Sequence, residues 1–315
     1  MGLHPTEEVD TAPHPRSGRN RIGVRRRAGG RELVKSSSQP QEVWAEGWFY
    51  AAHGSYPFAP RCIELDEPRR TVVLELLPGA TDAMALGISE PDRALWALVV
   101  LAQPLAILHA RPPGPDPPAG QPVLPPVALP PAAEVQSSTP ALMACLADVQ
   151  ARPRLVEGYE SWRRALVATS LTHGDVKLDN VIVVGEEVYL TDWELSGRGD
   201  PSVDVGGVVG SMVCVWISAL DLSSDGDPER WVTGAALPFR LLRQALVAFA
   251  DAYGGAGRTG LREVLGWGGF WLVSRALSEA SLSPAYEPAT MLKVRLADSL
   301  LNRPERILPE VDRLR

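Results

Sequence analysis

The stretch "HGDVKLDNVIVVGEEVYLTDWE", residues 173–194, limits what this chain can be more than any other. Asn180 follows Asp175 by five residues and Asp192 follows Asn180 by twelve, and the residues between them read as two short strands flanking Gly185. A hairpin returns the chain on itself, so Asn180 at its start and Asp192 at its end face one point. Both supply hard oxygen ligands, which suit Mg²⁺ on substrate phosphates better than zinc. Asp175, on the loop before the first strand, is placed to orient an attacking hydroxyl or to accept its proton. Lys177 is placed to reach a transferring phosphoryl group, and His173 to support the loop by hydrogen bonding. Phosphoryl transfer asks mainly for aligned reactants and neutralised oxygen charge, which this set of groups supplies. A solvated acidic turn is the competing reading, and it leaves the strand–turn–strand unexplained.

"HGDVKLDN" followed by "TDWE" resembles the catalytic and metal-binding motifs of the aminoglycoside phosphotransferase and choline kinase-like family, relatives of the protein kinases, in which HRD and DFG take the corresponding places. The resemblance covers approximately Ile22 to Asp204. It implies an α+β, bilobal protein-kinase-like fold with a small antiparallel-sheet N-lobe and a larger, mainly helical C-lobe. It implies ATP and Mg²⁺ as cofactors, Asp175 as catalytic base with Lys177 beside it, and Asn180 and Asp192 as metal ligands. "GDPSVDVG" resembles the family's segment after the metal Asp, where Asp204 is expected to brace the catalytic loop. Upstream, "ELVKSSSQPQEVWAEGWFY" places Lys35 on a strand and Glu46 on the next helix, the pair that holds the nucleotide phosphates. "VVLELLPGATDA" resembles the interlobe hinge, so backbone groups from Glu75 to Leu77 are expected to bind adenine. The phosphate-covering loop departs from the pattern: Gly18 and Gly23 stand too far apart for G-x-G-x-x-G, which leaves a backbone cradle helped by Arg19 or Arg21.

The sequence divides into an arm at 1–16, an N-lobe at 17–79, a hinge and linking helix at 80–111, a Pro-rich connector at 112–131 and a helical C-lobe at 132–315. The arm is expected to be mobile through about His14. A hairpin turns at Ala28-Gly29-Gly30, a helix runs through "PQEVWAEGWFYAAH" with Val43, Gly47 and Tyr50 on one face and Glu42 and Glu46 beside it, and strands flank Asp66-Glu67-Pro68, the second over Thr71 to Leu77. A helix from Glu90 to His109 is expected to kink or split at Pro104. Half of the residues from Pro112 to Pro131 are proline, which favours an extended, semi-rigid connector over a packed element. Helical patterns then run over Ala141–Gln150, Val156–Thr169, Pro238–Tyr253, Leu261–Leu282 and Ala289–Leu301.

A formal net charge of -7 argues against sequence-independent nucleic-acid binding. Cys62, Cys145 and Cys214 lack metal or disulfide spacing and no signal or membrane segment stands out, so a cytoplasmic protein is expected, its oligomeric state open. The expected acceptor is the hydroxyl of a small molecule such as an aminosugar. A Ser or Thr of a precursor peptide, as in lanthipeptide-type maturation, is the alternative, and a non-catalytic nucleotide-binding scaffold is the third reading. Asp221, Asp225, Asp227 and Glu229 form either an acidic cradle for a cationic acceptor or, more plainly, an exposed loop. Trp231, Trp267 and Trp271 read first as core and second as a ring-lined pocket.

Overall fold

A computed structural model describes residues 9–10, 20–27, 30–37, 44–54, 56–120, 124–222, 231, 235–254 and 260–308. Strands β1 (Val9–Asp10), β2 (Asn20–Arg27), β3 (Gly30–Ser37), β4 (Cys62–Asp66) and β5 (Thr71–Glu75) form one antiparallel sheet in the order β1-β2-β3-β5-β4. The hairpin pairs Asn20 with Ser37 through to Arg27 with Gly30. Val72, Val73 and Leu74 are buried, as a wholly apolar strand inside a sheet requires. Strand β5 stops at Glu75 instead of Leu77: Pro78 cannot donate to a ladder, and Ala80 N–H closes a turn onto the Leu77 carbonyl at 3.4 Å. Two residues of the arm expected to be mobile are paired instead, Val9 with Arg25 and Asp10 with Val24, which satisfies an otherwise open strand edge. Helix α1 (Ala45–His53) lies beneath the sheet, while Glu42 and Val43 of the expected helix lie outside the described residues.

The link between lobes carries one helix more than expected, and the expected helix is split. Strand β6 (Thr81–Asp82) pairs with a C-lobe strand, Asp82 caps α2 (Ala83–Ser89), and α3 (Pro91–Val100) and α4 (Ala102–His109) part at Leu101. Pro104 lacks the N–H that would bond to the Val100 carbonyl, so the break falls where that bond is missing.

Helices α5 (Ala132–Gln136), α6 (Pro140–Gln150) and α7 (Pro153–Ala165) precede β7 (Ser170–Thr172), the hairpin β8 (Val181–Val184) and β9 (Glu187–Leu190), and β10 (Gly197–Gly199), which pairs with β7. Helices α8 (Pro201–Ser218), α9 (Phe239–Gly254), α10 (Leu261–Leu282) and α11 (Pro288–Asn302) complete the lobe. Sequence periodicity missed α8. Its residues are buried from Ser202 to Ile217 except Cys214, so it has no polar face to announce a helix, and packing outweighs the poor propensity of Gly and Val. It is apolar and long enough to cross a bilayer, yet protein surrounds it on every side. A Cβ at Gly207 would stand 2.2 Å from the Val176 carbonyl oxygen, so this glycine lets α8 lie directly against the catalytic loop.

Parts of the Pro-rich segment are packed, contrary to expectation, at Pro118, Gly120 and Val127, while others such as Leu129 stay exposed. Gly120 N–H donates to the Arg198 carbonyl and Arg198 N–H to the Pro118 carbonyl, each at 2.9 Å. Val127 is fully buried, its N–H donating to Glu160 Oε1 (2.8 Å) and its carbonyl accepting from Gln150 Nε2 (2.9 Å). Prolines carry no N–H, so such a strand of chain can be buried once a few side chains satisfy what remains.

Candidate active site

Lys35 stands in the middle of β3, opposite Ile22 and Val72, and is buried. Its Nζ is 2.8 Å from Glu46 Oε2 on α1 and also donates to Asp192 Oδ1. Burial alone would lower the Lys35 pKa, but the two carboxylates outweigh it and the ammonium is held protonated. Burial likewise opposes the Asp192 charge, and Lys35 more than restores it, holding that carboxyl below its ordinary range. One helical turn beyond Glu46, Phe49 stacks on Trp193 with ring centroids 3.9 Å apart, which fixes α1 against the Asp192 turn. Asp192 itself adopts φ +66, a left-handed conformation uncommon outside glycine.

The hairpin brings its ends together. Thr191 N–H donates to the Asn180 carbonyl at 2.9 Å, so Asn180 and Asp192 are neighbours across the ladder's mouth. Asn180 Nδ2 donates to the Asp175 carbonyl (2.9 Å) and carboxylate (3.2 Å), and Lys177 Nζ to Asp175 Oδ2 (2.5 Å). Lys35, Glu46, Asp175, Lys177, Asn180 and Asp192 therefore form one continuous set. Gly174, at φ +83, admits no Cβ: the Leu195 carbonyl oxygen would lie 2.4 Å from it.

The loop is held from behind by a wholly buried Asp204, which accepts from His173 N–H (2.7 Å), Gly174 N–H (2.8 Å) and His109 Nε2 (3.0 Å). His109 Nδ1 in turn lies 2.9 Å from the Tyr253 hydroxyl. Burial lifts the Asp204 carboxyl, and the hydrogen bond from His109, His109's charge interaction and the His173 contacts outweigh it, holding it below the usual range. Neither His109 nor Tyr253 carried a signal in the sequence, since a lone His ending an apolar helix has no motif around it. His173 Nε2 donates to the Thr191 carbonyl (2.9 Å), and its Nδ1 accepts from Asp175 N–H (3.3 Å), so it positions the loop.

Burial lowers the His173 pKa from its ordinary 6.5, outweighing the acids around it. The unfolded chain then gains a proton that the native state refuses, so native stability falls as pH drops below about 6.5. Thermal melts at about pH 7 and pH 5 are expected to show a lower midpoint in acid. His173→Gln should reduce that slope, leaving a remainder from His53, whose pKa burial also lowers.

The other expected positions are more scattered. Glu75 accepts Arg61 N–H on its carboxylate at 2.8 Å, and Leu77 closes the turn after β5, which puts both at the C-terminal end of an inner strand of the N-lobe sheet. Gly23 and Arg21 lie on β2, while Gly18 and Arg19 lie outside the described residues. So do Asp225, Asp227 and Glu229, and Asp221 is exposed. All three cysteines are free, and burial lifts the Cys145 and Cys214 thiols to about 11, which removes them as nucleophiles. Trp267 is buried, but Trp271 borders a cavity of about 440 Å³ that opens beside Asp175 and Lys177, so the ring-lined reading holds for one of the two.

The model of the phosphotransferase enzyme family matches residues 37–264, well over half of the chain. The chain belongs to that family. It is a phosphotransferase. No curated protein matches it. Among solved structures it is similar to a choline kinase from Cryptosporidium parvum Iowa II, at 12% identity over 99% of this chain and 94% of that one, with a TM-score of 0.52. A thermostable mutant of the aminoglycoside phosphotransferase APH(4)-Ia, in complex with AMP-PNP and hygromycin B, matches at 12% identity over 96% and 95%, with a TM-score of 0.52. A choline/ethanolamine kinase family protein from Mesorhizobium loti matches at 16% over 97% and 92%, with a TM-score of 0.50. At these identities the likeness is one of fold, and that fold is the bilobal, protein-kinase-like one expected from the sequence.

Proposed function

We propose that this phosphotransferase moves the γ-phosphate of ATP, bound with Mg²⁺, to a hydroxyl group of a small molecule. The observation that carries the reading is the bridge made by Lys35, which touches Glu46 on one side and Asp192 on the other across 157 residues of sequence. A cation held between two carboxylates in an interlobe cleft is suited to nucleotide phosphates, with adenine against the backbone from Glu75 to Leu77. Asp175 orients the acceptor hydroxyl and takes its proton, and Lys177 helps neutralise the transferring group.

The residues present fit magnesium. Asn180 spends its amide N–H groups on Asp175, leaving its carbonyl oxygen as the ligand-competent end, and Asp192 offers a carboxylate beside it. Among the described residues no cluster of three or more His, Cys, Asp or Glu forms a dedicated cage. Mg²⁺ needs none, because it commonly takes one or two protein oxygens and completes its shell with water and phosphate. When bound it neutralises phosphate charge. A small acceptor is favoured over a peptide by the cavity at Asp175, which the Pro-rich segment walls on one side.

Asp192→Ala is expected to weaken MgATP binding about tenfold or more, the loss of a charge-assisted interaction being worth roughly 1.5–3 kcal/mol. Calorimetric titration measures it. Wild-type affinity in that variant would remove Asp192 from the nucleotide site and overturn the proposed arrangement.

A further inference from the structure

The chemistry of the cavity beside Asp175 is not dictated by the fold. At about 440 Å³ it suits a ligand of drug-like size. Leu124 and Pro125 form one wall, Leu142 and Leu146 of α6 another, and Phe270 and Trp271 of α10 a third. The hydroxyls along it, Ser274, Ser278 and Ser281, recur at helical spacing on α10 and carry no charge.

Among the described residues, the ionisable groups lining this cavity are Asp175, Lys177 and Arg275. Lys177 is paired with Asp175 at 2.5 Å, and Arg275 Nε donates to Glu279 at 2.8 Å. The only carboxylate on the wall is thus the one assigned to the reacting hydroxyl. An adjoining cavity of about 230 Å³ sets Asp179 and Glu279 against Lys177, Arg275 and Lys293, so it has no excess of negative charge either. An ammonium group brought into the larger cavity loses its water and, among the described residues, meets no carboxylate there besides Asp175, which Lys177 already pairs.

We propose, building on the phosphotransferase reading above, that the acceptor is an uncharged alcohol with a large apolar body, and that polycationic aminosugars are refused. Its rings lie between Trp271 and the proline wall, with its hydroxyl at Asp175. The hydroxyl oxygen forms a bond to the γ-phosphorus as the bond from that phosphorus to the β,γ-bridging oxygen breaks. ADP leaves, the proton passes to Asp175, and the product is a phosphate monoester.

Pyrenebutanol, a fluorescent neutral alcohol, tests the pocket by titration into the full chain without nucleotide. Saturable binding is expected, weakened about tenfold or more by Trp271→Ala, the scale on which burial of a large apolar group counts. Ser278 is exposed, so Ser278→Glu keeps the fold while adding a carboxylate; it should weaken pyrenebutanol and create affinity for kanamycin that the wild type lacks. Absence of saturable binding, indifference to both substitutions, or displacement of pyrenebutanol from the wild type by comparable kanamycin overturns the proposal. The titration contains no ATP, so its failure leaves the phosphotransferase reading standing, whereas failure of the MgATP titration leaves the cavity's preference for a neutral ligand standing but not that ligand's role as acceptor.

Discussion

Asp175→Asn is expected to slow phosphoryl transfer about 10²–10⁴-fold, the usual contribution of a positioned general base, while leaving MgATP affinity nearly unchanged. The substitution keeps the shape and one acceptor oxygen for Lys177 and Asn180 but removes the proton acceptor. Lys35, Glu46 and Asp192 hold one another without using the Asp175 carboxylate, so the nucleotide side of the site is independent of it. Single-turnover kinetics paired with nucleotide titration separates the two effects. Equal losses in binding and turnover would mean that Asp175 serves the nucleotide and not the acceptor.

Asp204→Ala should be the most destabilising single change near the site. It deprives His173 N–H, Gly174 N–H and His109 Nε2 of their common acceptor inside a fully buried pocket. Each buried donor left without a partner costs about 1–3 kcal/mol, so the total is expected to reach roughly 3 kcal/mol or more. Chemical denaturation measures this directly, and Asp204→Asn, which keeps one acceptor oxygen, should fall between the variant and the wild type. Because Gly174 precedes Asp175, activity is expected to fall as well, including under conditions where the variant remains folded. A variant within about 1 kcal/mol of the wild type would show that the loop supports itself.

Features fixed by local spacing were readable in the sequence. The hairpin between Asn180 and Asp192 follows from two apolar runs and Gly185, and resemblance of order along the chain paired Lys35 with Glu46, which stand 2.8 Å apart. Features set by long-range packing were not. Helix α8 is apolar all round because protein encloses it, and the same chain pattern gives no period to detect. The Pro-rich segment looked like a connector because proline forms no ladder; its burial depends on Glu160, Gln150 and Arg198, which are distant in sequence. His109 reaches Asp204 across 95 residues, and no short pattern encodes such a contact. Trp271 and Trp267 are equally aromatic and on one helix, and only the position of the cavity separates their roles.

Transfer of phosphate to a small alcohol should depend on Asp175. Its most direct test follows the γ-phosphate of labelled ATP, with magnesium, into a cell extract divided into small-molecule and peptide fractions, with Asp175→Asn as the blank. Label in the small-molecule fraction, lost in the blank, is the expected result. Label confined to the peptide fraction, or unchanged in the Asp175→Asn protein, would contradict it.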